Sequence, residues 1–154
     1  MTISISEFYS NRSVLITGGS GFIGKVLIEK LLRSCPNIGN IYLLIRTTNR
    51  NGQQFDSEQR LKQQILESKL FNLPTSKDID FSKLVALSGD MTMPNLGLSE
   101  QDRQKLIENV SIIFHLAATI SFEGPMKHFV QQNVFGTESI MQLGRKLKQL
   151  QVIE

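Results

Sequence analysis

The sequence predicts an α/β fold built on an open parallel sheet, and three observations carry that prediction. Short apolar runs alternate with longer amphipathic stretches in the order β-α-β-α-β-α-β-α-β. The run Ile41-Tyr42-Leu43-Leu44-Ile45 is apolar throughout, as in a parallel strand covered on both faces. A glycine turn joins the first run to the first amphipathic stretch, at a strand C-terminus, where such sheets hold their ligands.

The rest of the chain is arranged about that turn. Residues 13–24 read S-V-L-I-T-G-G-S-G-F-I-G, a strand, a turn and a helix start of the kind that binds the pyrophosphate of a dinucleotide. Gly18 permits the tight turn, Gly21 lets the backbone approach the phosphates, and Gly24 lets the helix pack closely on the strand. Free N–H groups and the positive dipole end of the helix face the anion. The spacing T-G-x-x-G-x-x-G is one residue wider between the first two glycines than the usual G-x-G-x-x-G. In isolation a glycine-rich turn can be only a turn; the strand and helix beside it favour the phosphate site. The whole pattern is a Rossmann-type doubly wound parallel sheet, truncated at the start of strand five, Val152-Ile153.

Composition narrows the classes. The 154 residues suit one domain, and 40% hydrophobic with 20% charged residues is ordinary for a globular protein. The net charge of +3 is spread along the chain, which reads as solvated faces rather than a nucleic-acid patch. Cys35 is the only cysteine, so it reads as a small packed residue in a reducing compartment. The N-terminus lacks the basic start and apolar core of a secretory signal, and no apolar run approaches the ~20 residues that cross a bilayer.

The first helix is expected from Phe22 to the stop at Pro36, with an apolar stripe of Ile23, Leu27 and Leu31 beside Ile28 and Leu32. Lys25, Glu29 and Lys30 are left to water. Arg46 follows the second strand, where an Asp or Glu would accept from the adenosine ribose of NAD and an Arg would accommodate the 2′-phosphate of NADP. No carboxylate stands between Ile41 and Phe55, so Arg46, with Arg50 sharing or replacing it, points to NADP; the plain alternative is an exposed strand-end cation. Residues 47–55 read as a loop. Asp56 and Gln59 form a capping box for a helix over 57–70 with Leu61, Ile65 and Leu66 on its apolar face, and 71–82 read as a connection.

The third strand, 83–87, ends at Ser88-Gly89-Asp90, so Asp90 is either a ligand-side residue or a turn former. Ser99 and Asp102 cap a short polar helix ending near Asn109. The fourth strand, 111–116, runs into Ala117-Ala118, small residues that leave room for a flat ring or serve close packing. His115 reads as a satisfied strand-end histidine, with no companion at metal-ligand spacing. Gly124-Pro125 opens a last helix expected to reach about Gln149, with Met126, Val130, Thr137, Ile140 and Gly144 on one stripe. Asn133 lies near the middle of that stripe and needs hydrogen-bond partners there. Gly136 costs up to ~1 kcal/mol against Ala within a helix, which implies close approach of another element.

Several segments together resemble fatty acyl-CoA reductase, a family within the extended short-chain dehydrogenase/reductases. They are Ile16 through Lys25, Glu29 through Arg33, Ile41 through Arg46, Gly89-Asp90, Leu96 through Ser99, His115-Leu116-Ala117-Ala118-Thr119 and Asn133-Val134-Phe135-Gly136-Thr137. The resemblance covers nearly the whole chain. It implies that Gly18, Gly21 and Gly24 hold the pyrophosphate of NADPH, with backbone contacts from Ser20, Phe22 and Ile23. It further implies Arg46 on the 2′-phosphate, Asp90 at the adenine, and Ala117 and Ala118 along the ribose–nicotinamide path. Asn133 matches a position that supports a catalytic lysine through the local helix and water.

The resemblance implies reduction of long-chain acyl-CoA to fatty alcohol in two NADPH-dependent hydride transfers, at the cytoplasmic face of peroxisomal or endoplasmic-reticulum membranes. Its Tyr-x-x-x-Lys motif is not in residues 1–154: the tyrosines are Tyr9 and Tyr42, neither with Lys four residues on. The expectation is therefore a partial NAD(P)-binding domain over 1–154 that binds cofactor without turning over, with no membrane segment and no nucleic-acid partner. It would also leave the fourth strand as an edge built for burial. A thioester reductase domain acting on carrier-bound acyl groups and a non-enzymatic NADP-binding module are the alternatives.

Overall fold

The structure, a computed structural model, describes residues 3–154 apart from 51, 77 and 122. The chain begins with α1 (Ile5–Tyr9), β1 (Ser13–Thr17), α2 (Phe22–Ser34) and β2 (Ile41–Ile45). A hairpin of β3 (Thr48–Arg50) and β4 (Gln53–Phe55) precedes α3 (Ser57–Leu61), which runs on as a π-wound turn over Lys62–Leu66. Next come β5 (Leu84–Ser88), α4 (Glu100–Asn109) and β6 (Val110–His115). The last helix is α5 (Met126–Phe129), a π-wound segment (Val130–Phe135) and α6 (Gly136–Gly144) end to end, followed by β7 (Val152–Ile153).

The expected parallel sheet forms with strand order β5-β2-β1-β6-β7. Its strands bury alternate residues on opposite faces. Val14, Ile16, Leu43 and Ile112 pack with Ile28 and Leu32 of α2 and with Leu61 and Ile65. Leu15, Leu44, Leu87 and Ile113 pack with Leu106 of α4 and Ile140 and Leu143 of α6. All five residues of β2 are buried, as its unbroken apolar run requires. At ~1.5–3 kcal/mol for each fully buried aliphatic side chain, these two layers dominate the fold's stabilisation and hold the strand ends in register.

Several local expectations are corrected. The buried face of α2 is Gly24, Ile28, Leu31 and Leu32, while Ile23 is 66% exposed. Helix contact with the glycine turn requires Gly24 to face inward, and that rotation turns Ile23 outward. Glu29, expected in water, is buried and paired with Arg33 at 2.6 Å. Residues 48–55 form a hairpin rather than a loop, turning through Gly52 at φ +79°. The Asp56–Gln59 capping box forms, but the α-helix ends at Leu61 and the crossover continues in π and 3₁₀ turns.

The last helix ends at Gly144, not near Gln149, because the chain must turn there to reach the sheet. Lys148 N–H donates to the Ile107 carbonyl and Gln151 N–H to the Ser111 carbonyl, leading into β7. Met126 is 75% exposed, so the buried stripe begins later than expected, at Gly136 and Ile140. Gly136 does meet another element: a Cβ there would stand 3.0 Å from Met91 Cε. The edge of β6 is covered from 112 to 115. Ile112 and Ile113 pair with Val152 and Ile153, and His115 N–H donates to the Glu154 carbonyl at 2.6 Å.

Candidate cofactor-binding site

The C-terminal ends of β1, β2, β5 and β6 converge on a cavity of about 450 Å³. Gly18, Ser20 and Gly21 form one side of it. Gly18 has φ +72°, and a Cβ there would stand 2.8 Å from Ala117 N and the Leu116 carbonyl carbon, so the turn accepts only glycine. The Gly21 N–H donates to the Gly18 carbonyl at 3.0 Å, and Gly21 then N-caps α2 without a side chain. The first-turn N–H groups of this 13-residue helix therefore receive no side-chain cap, which suits an anion. Gly24 does not line the cavity. A Cβ on it would strike the Gly18 carbonyl oxygen and lie 2.6 Å from Gly19 Cα, so its part is to seat the helix on the turn. Phe22 is 82% exposed and, like Ile23, does not line the cavity with its side chain; both can offer backbone alone.

Arg46 lines the far side, with Leu44, Ile45, Gly89 and Asp90. Arg60 of α3 joins it there. Arg60 Nη1 donates to the Arg46 backbone carbonyl and Nη2 to Gln64 Oε1 at 3.0 Å, so the Arg60 guanidinium is anchored to the backbone at Arg46. The side chain of Arg50 lies outside the described residues. Asp90 is fixed twice: its Oδ1 accepts from Thr92 N and Oγ1 at 2.8 and 2.7 Å, and its N–H donates to the Leu96 carbonyl at 2.7 Å. Leu96 supplies that carbonyl from a left-handed conformation, φ +62°, rare for a branched apolar residue and held by its burial.

Leu116, Ala117, Ala118 and Thr119 line the remaining wall, with His128 and Gln132 from the last helix. Asn133 does not line it. Its Oδ1 accepts from Thr119 N–H at 2.9 Å and its Nδ2 donates to the Thr119 carbonyl at 3.0 Å, which clamps the wall from behind. His115 lies between two threonines, with Nδ1 2.7 Å from Thr17 Oγ1 and Nε2 3.0 Å from Thr137 Oγ1. Burial pushes its pKa below the ordinary histidine value.

Arg60, His128 and Gln132 carry no local sequence signal that marks them for this cavity, and Thr119 closes the His115–Thr119 segment without being singled out by it. Thr17 alone has a positional clue, as the last strand residue before the glycine turn. Among the described residues no three His, Cys, Asp or Glu side chains gather as a metal site, and no helix is long and apolar enough to cross a membrane.

Residues 16–154 match the NAD-binding family described as Male sterility protein. The chain belongs to that family. It is 41% identical over 151 residues to "Fatty acyl-CoA reductase 1" of Pongo abelii and 40% identical to the protein of the same name in Homo sapiens. Each alignment takes in 97% of this chain and 28% of the relative, so the chain spans less than a third of the length of these relatives. Among solved structures it is similar to the terminal R domain from the myxalamid PKS-NRPS biosynthetic pathway, at 28% identity and a TM-score of 0.71. That alignment covers 94% of this chain and 34% of the other. The reductase (R) domain of a nonribosomal peptide synthetase from Mycobacterium tuberculosis aligns at 25% identity and a TM-score of 0.70, over 94% and 32%. The chain thus has a Rossmann-like fold and belongs to an NAD-binding family of the extended short-chain dehydrogenase/reductase type.

Proposed function

We propose that this chain forms the cofactor-binding part of an NADPH-dependent reductase that converts long-chain fatty acyl-CoA to fatty alcohol. The observation that carries the cofactor choice is the pair Arg46 and Arg60 in the cavity lining just beyond β2, where an NAD-type site would present a carboxylate. The residues fit a dinucleotide: a cradle that only glycine can make at Gly18, a helix N-terminus without a side-chain cap, and two cations lining the same cavity. The substrate class rests on the likeness to fatty acyl-CoA reductases.

In this reading the backbone at Gly18, Ser20 and Gly21 and the first turn of α2 bind the pyrophosphate. Arg46 and Arg60 hold the 2′-phosphate, Asp90 takes the adenine side, and Ala117 and Ala118 leave space for ribose and nicotinamide. Asn133 acts on that wall through Thr119. When bound, NADPH supplies the hydride. A developing oxyanion needs a proton donor. Tyr42 is 3% exposed within the sheet and Tyr9 lies on α1, so neither serves, and the donor is assigned to sequence outside 1–154. Action at a peroxisomal or endoplasmic-reticulum membrane belongs to the same reading.

The likeness to the R domains favours one competitor, a reductase of acyl groups held on a carrier protein. The test supplies the intact protein with NADPH or NADH and one long-chain acyl group, presented either on CoA or on a carrier's phosphopantetheine. NADPH oxidation with acyl-CoA and formation of fatty alcohol is the expected result. Oxidation with the carrier alone supports the competitor, and NADPH binding with no oxidation of either kind supports a non-enzymatic module.

A further inference from the structure

We infer that His115 is a positioning residue for the cofactor cavity, a neutral Nε2–H imidazole that ties the end of β1 to the last helix and so sets the 117–119 wall. The inference rests on the cofactor reading above. Its proton positions follow from the acceptors. Thr137 Oγ1 has one proton, and it goes to the Asn133 carbonyl at 2.6 Å, an oxygen that can only accept. Thr137 Oγ1 therefore accepts from His115 Nε2, which must carry hydrogen. In a neutral ring Nδ1 is then the acceptor, and it takes the Thr17 hydroxyl proton at 2.7 Å. Thr17 Oγ1 in turn accepts the Ala117 N–H at 3.2 Å. The lowered pKa that burial imposes agrees with the neutral ring.

The outcome is a one-way row of hydrogen bonds from the Ala117 N–H through Thr17, His115 and Thr137 to the Asn133 carbonyl. The Asn133 side chain completes it by clamping Thr119 through both N–H and C=O. Both ends of the 117–119 segment are thereby fixed to one imidazole, and Thr17, Ala117 and Thr119 all line the cavity. Asn133 sits in the π-wound segment, a distortion that gathers at functional sites within helices. An apolar side chain in place of His115 would leave the Thr17 hydroxyl and the Thr137 oxygen without partners in a half-buried setting. A ring that accepts on one side and donates on the other is what the two threonines require.

The test uses the intact protein and two readouts. In protein carrying ¹⁵N-histidine, the His115 ring, assigned by its loss in His115→Gln, is expected to show hydrogen on Nε2 and none on Nδ1 at neutral pH. A ring protonated on Nδ1, alone or as imidazolium, overturns the inference. In nucleotide titrations, Thr137→Val, which removes both hydrogen bonds of the Thr137 hydroxyl, is expected to weaken NADPH and NADH alike by roughly five- to tenfold. Thr137→Ser, which keeps the hydroxyl, is expected to restore wild-type affinity. Wild-type affinity in Thr137→Val overturns the inference while leaving the cofactor reading intact. A wild-type protein that binds neither nucleotide overturns the cofactor reading and this inference with it. Should Thr137→Val fail to fold, the ring protonation in the wild-type protein decides.

Discussion

Arg46 and Arg60 reach one cavity by different routes. Arg46 stands one residue beyond β2, where the end of a parallel strand delivers it. Arg60 comes from α3, brought back by the β3–β4 hairpin and fixed to the Arg46 carbonyl. A phosphate dianion between them would gain charge-assisted hydrogen bonds worth about 1.5–3 kcal/mol each. Arg46→Ala and Arg60→Ala are each expected to weaken NADPH binding by about tenfold or more and to leave NADH binding within about threefold. Calorimetric titration with both nucleotides checks this, and equal losses for the two would reject the 2′-phosphate assignment. The loss for Arg60→Ala should be the greater of the two, because that variant also removes a tie on the Arg46 backbone.

At the scale of elements, two helix glycines make opposite demands. At Gly24 a Cβ meets the backbone of Gly18 and Gly19, which cannot withdraw without opening the turn. At Gly136 the nearest atom is the Met91 Cε, the free end of a flexible side chain, at 3.0 Å. Gly24→Ala is therefore expected to destabilise the fold by about 1–3 kcal/mol, as overpacking does, and to weaken nucleotide binding. Gly136→Ala should fall within about 1 kcal/mol of wild type, since relief of the glycine's entropy cost offsets a small shift of Met91. Chemical denaturation of both variants measures the contrast; a Gly24→Ala protein as stable as wild type would remove the close-packing argument.

The same distinction separates what could be read from sequence. The strands at 41–45 and 13–17, the capping box at Asp56, the N-cap at Ser99 and the glycine turn are written in local pattern and local hydrogen bonds, and they form where expected. Ile23 could not be placed, because helical periodicity admits more than one rotation of α2 and only contact with Gly18 selects Gly24. The hairpin at 48–55 was masked by polar residues, although Asn51-Gly52 is a turn signature in the sequence. In the cavity, Gly18, Ser20, Gly21, Arg46, Asp90, Ala117 and Ala118 sit at strand ends, which topology alone locates. Arg60, His128 and Gln132 arrive on helices through tertiary packing, and no spacing rule marks them.

For the molecule as a whole, binding and turnover are expected to be separable. Residues 1–154 bury an apolar layer on each face of a five-stranded sheet, and β7 with Glu154 covers β6 from 112 to 115. The cavity, its glycine cradle and both arginines lie at the C-terminal ends of the strands that these layers hold in register. The cavity's lining contains no tyrosine, and Tyr42 is locked in the sheet with its hydroxyl accepting from Asn40 Nδ2 at 3.4 Å. In the proposed reading the oxyanion is met by the tyrosine of a Tyr-x-x-x-Lys motif, which residues 1–154 do not contain. Residues 1–154 are therefore expected to bind NADPH but not to oxidise it when a long-chain acyl-CoA is added. Nucleotide titration followed by an absorbance assay of NADPH consumption measures both on one sample. Acyl-CoA-dependent consumption would show that a residue already in this chain donates the proton, and His128, on the cavity wall, would be the first to substitute.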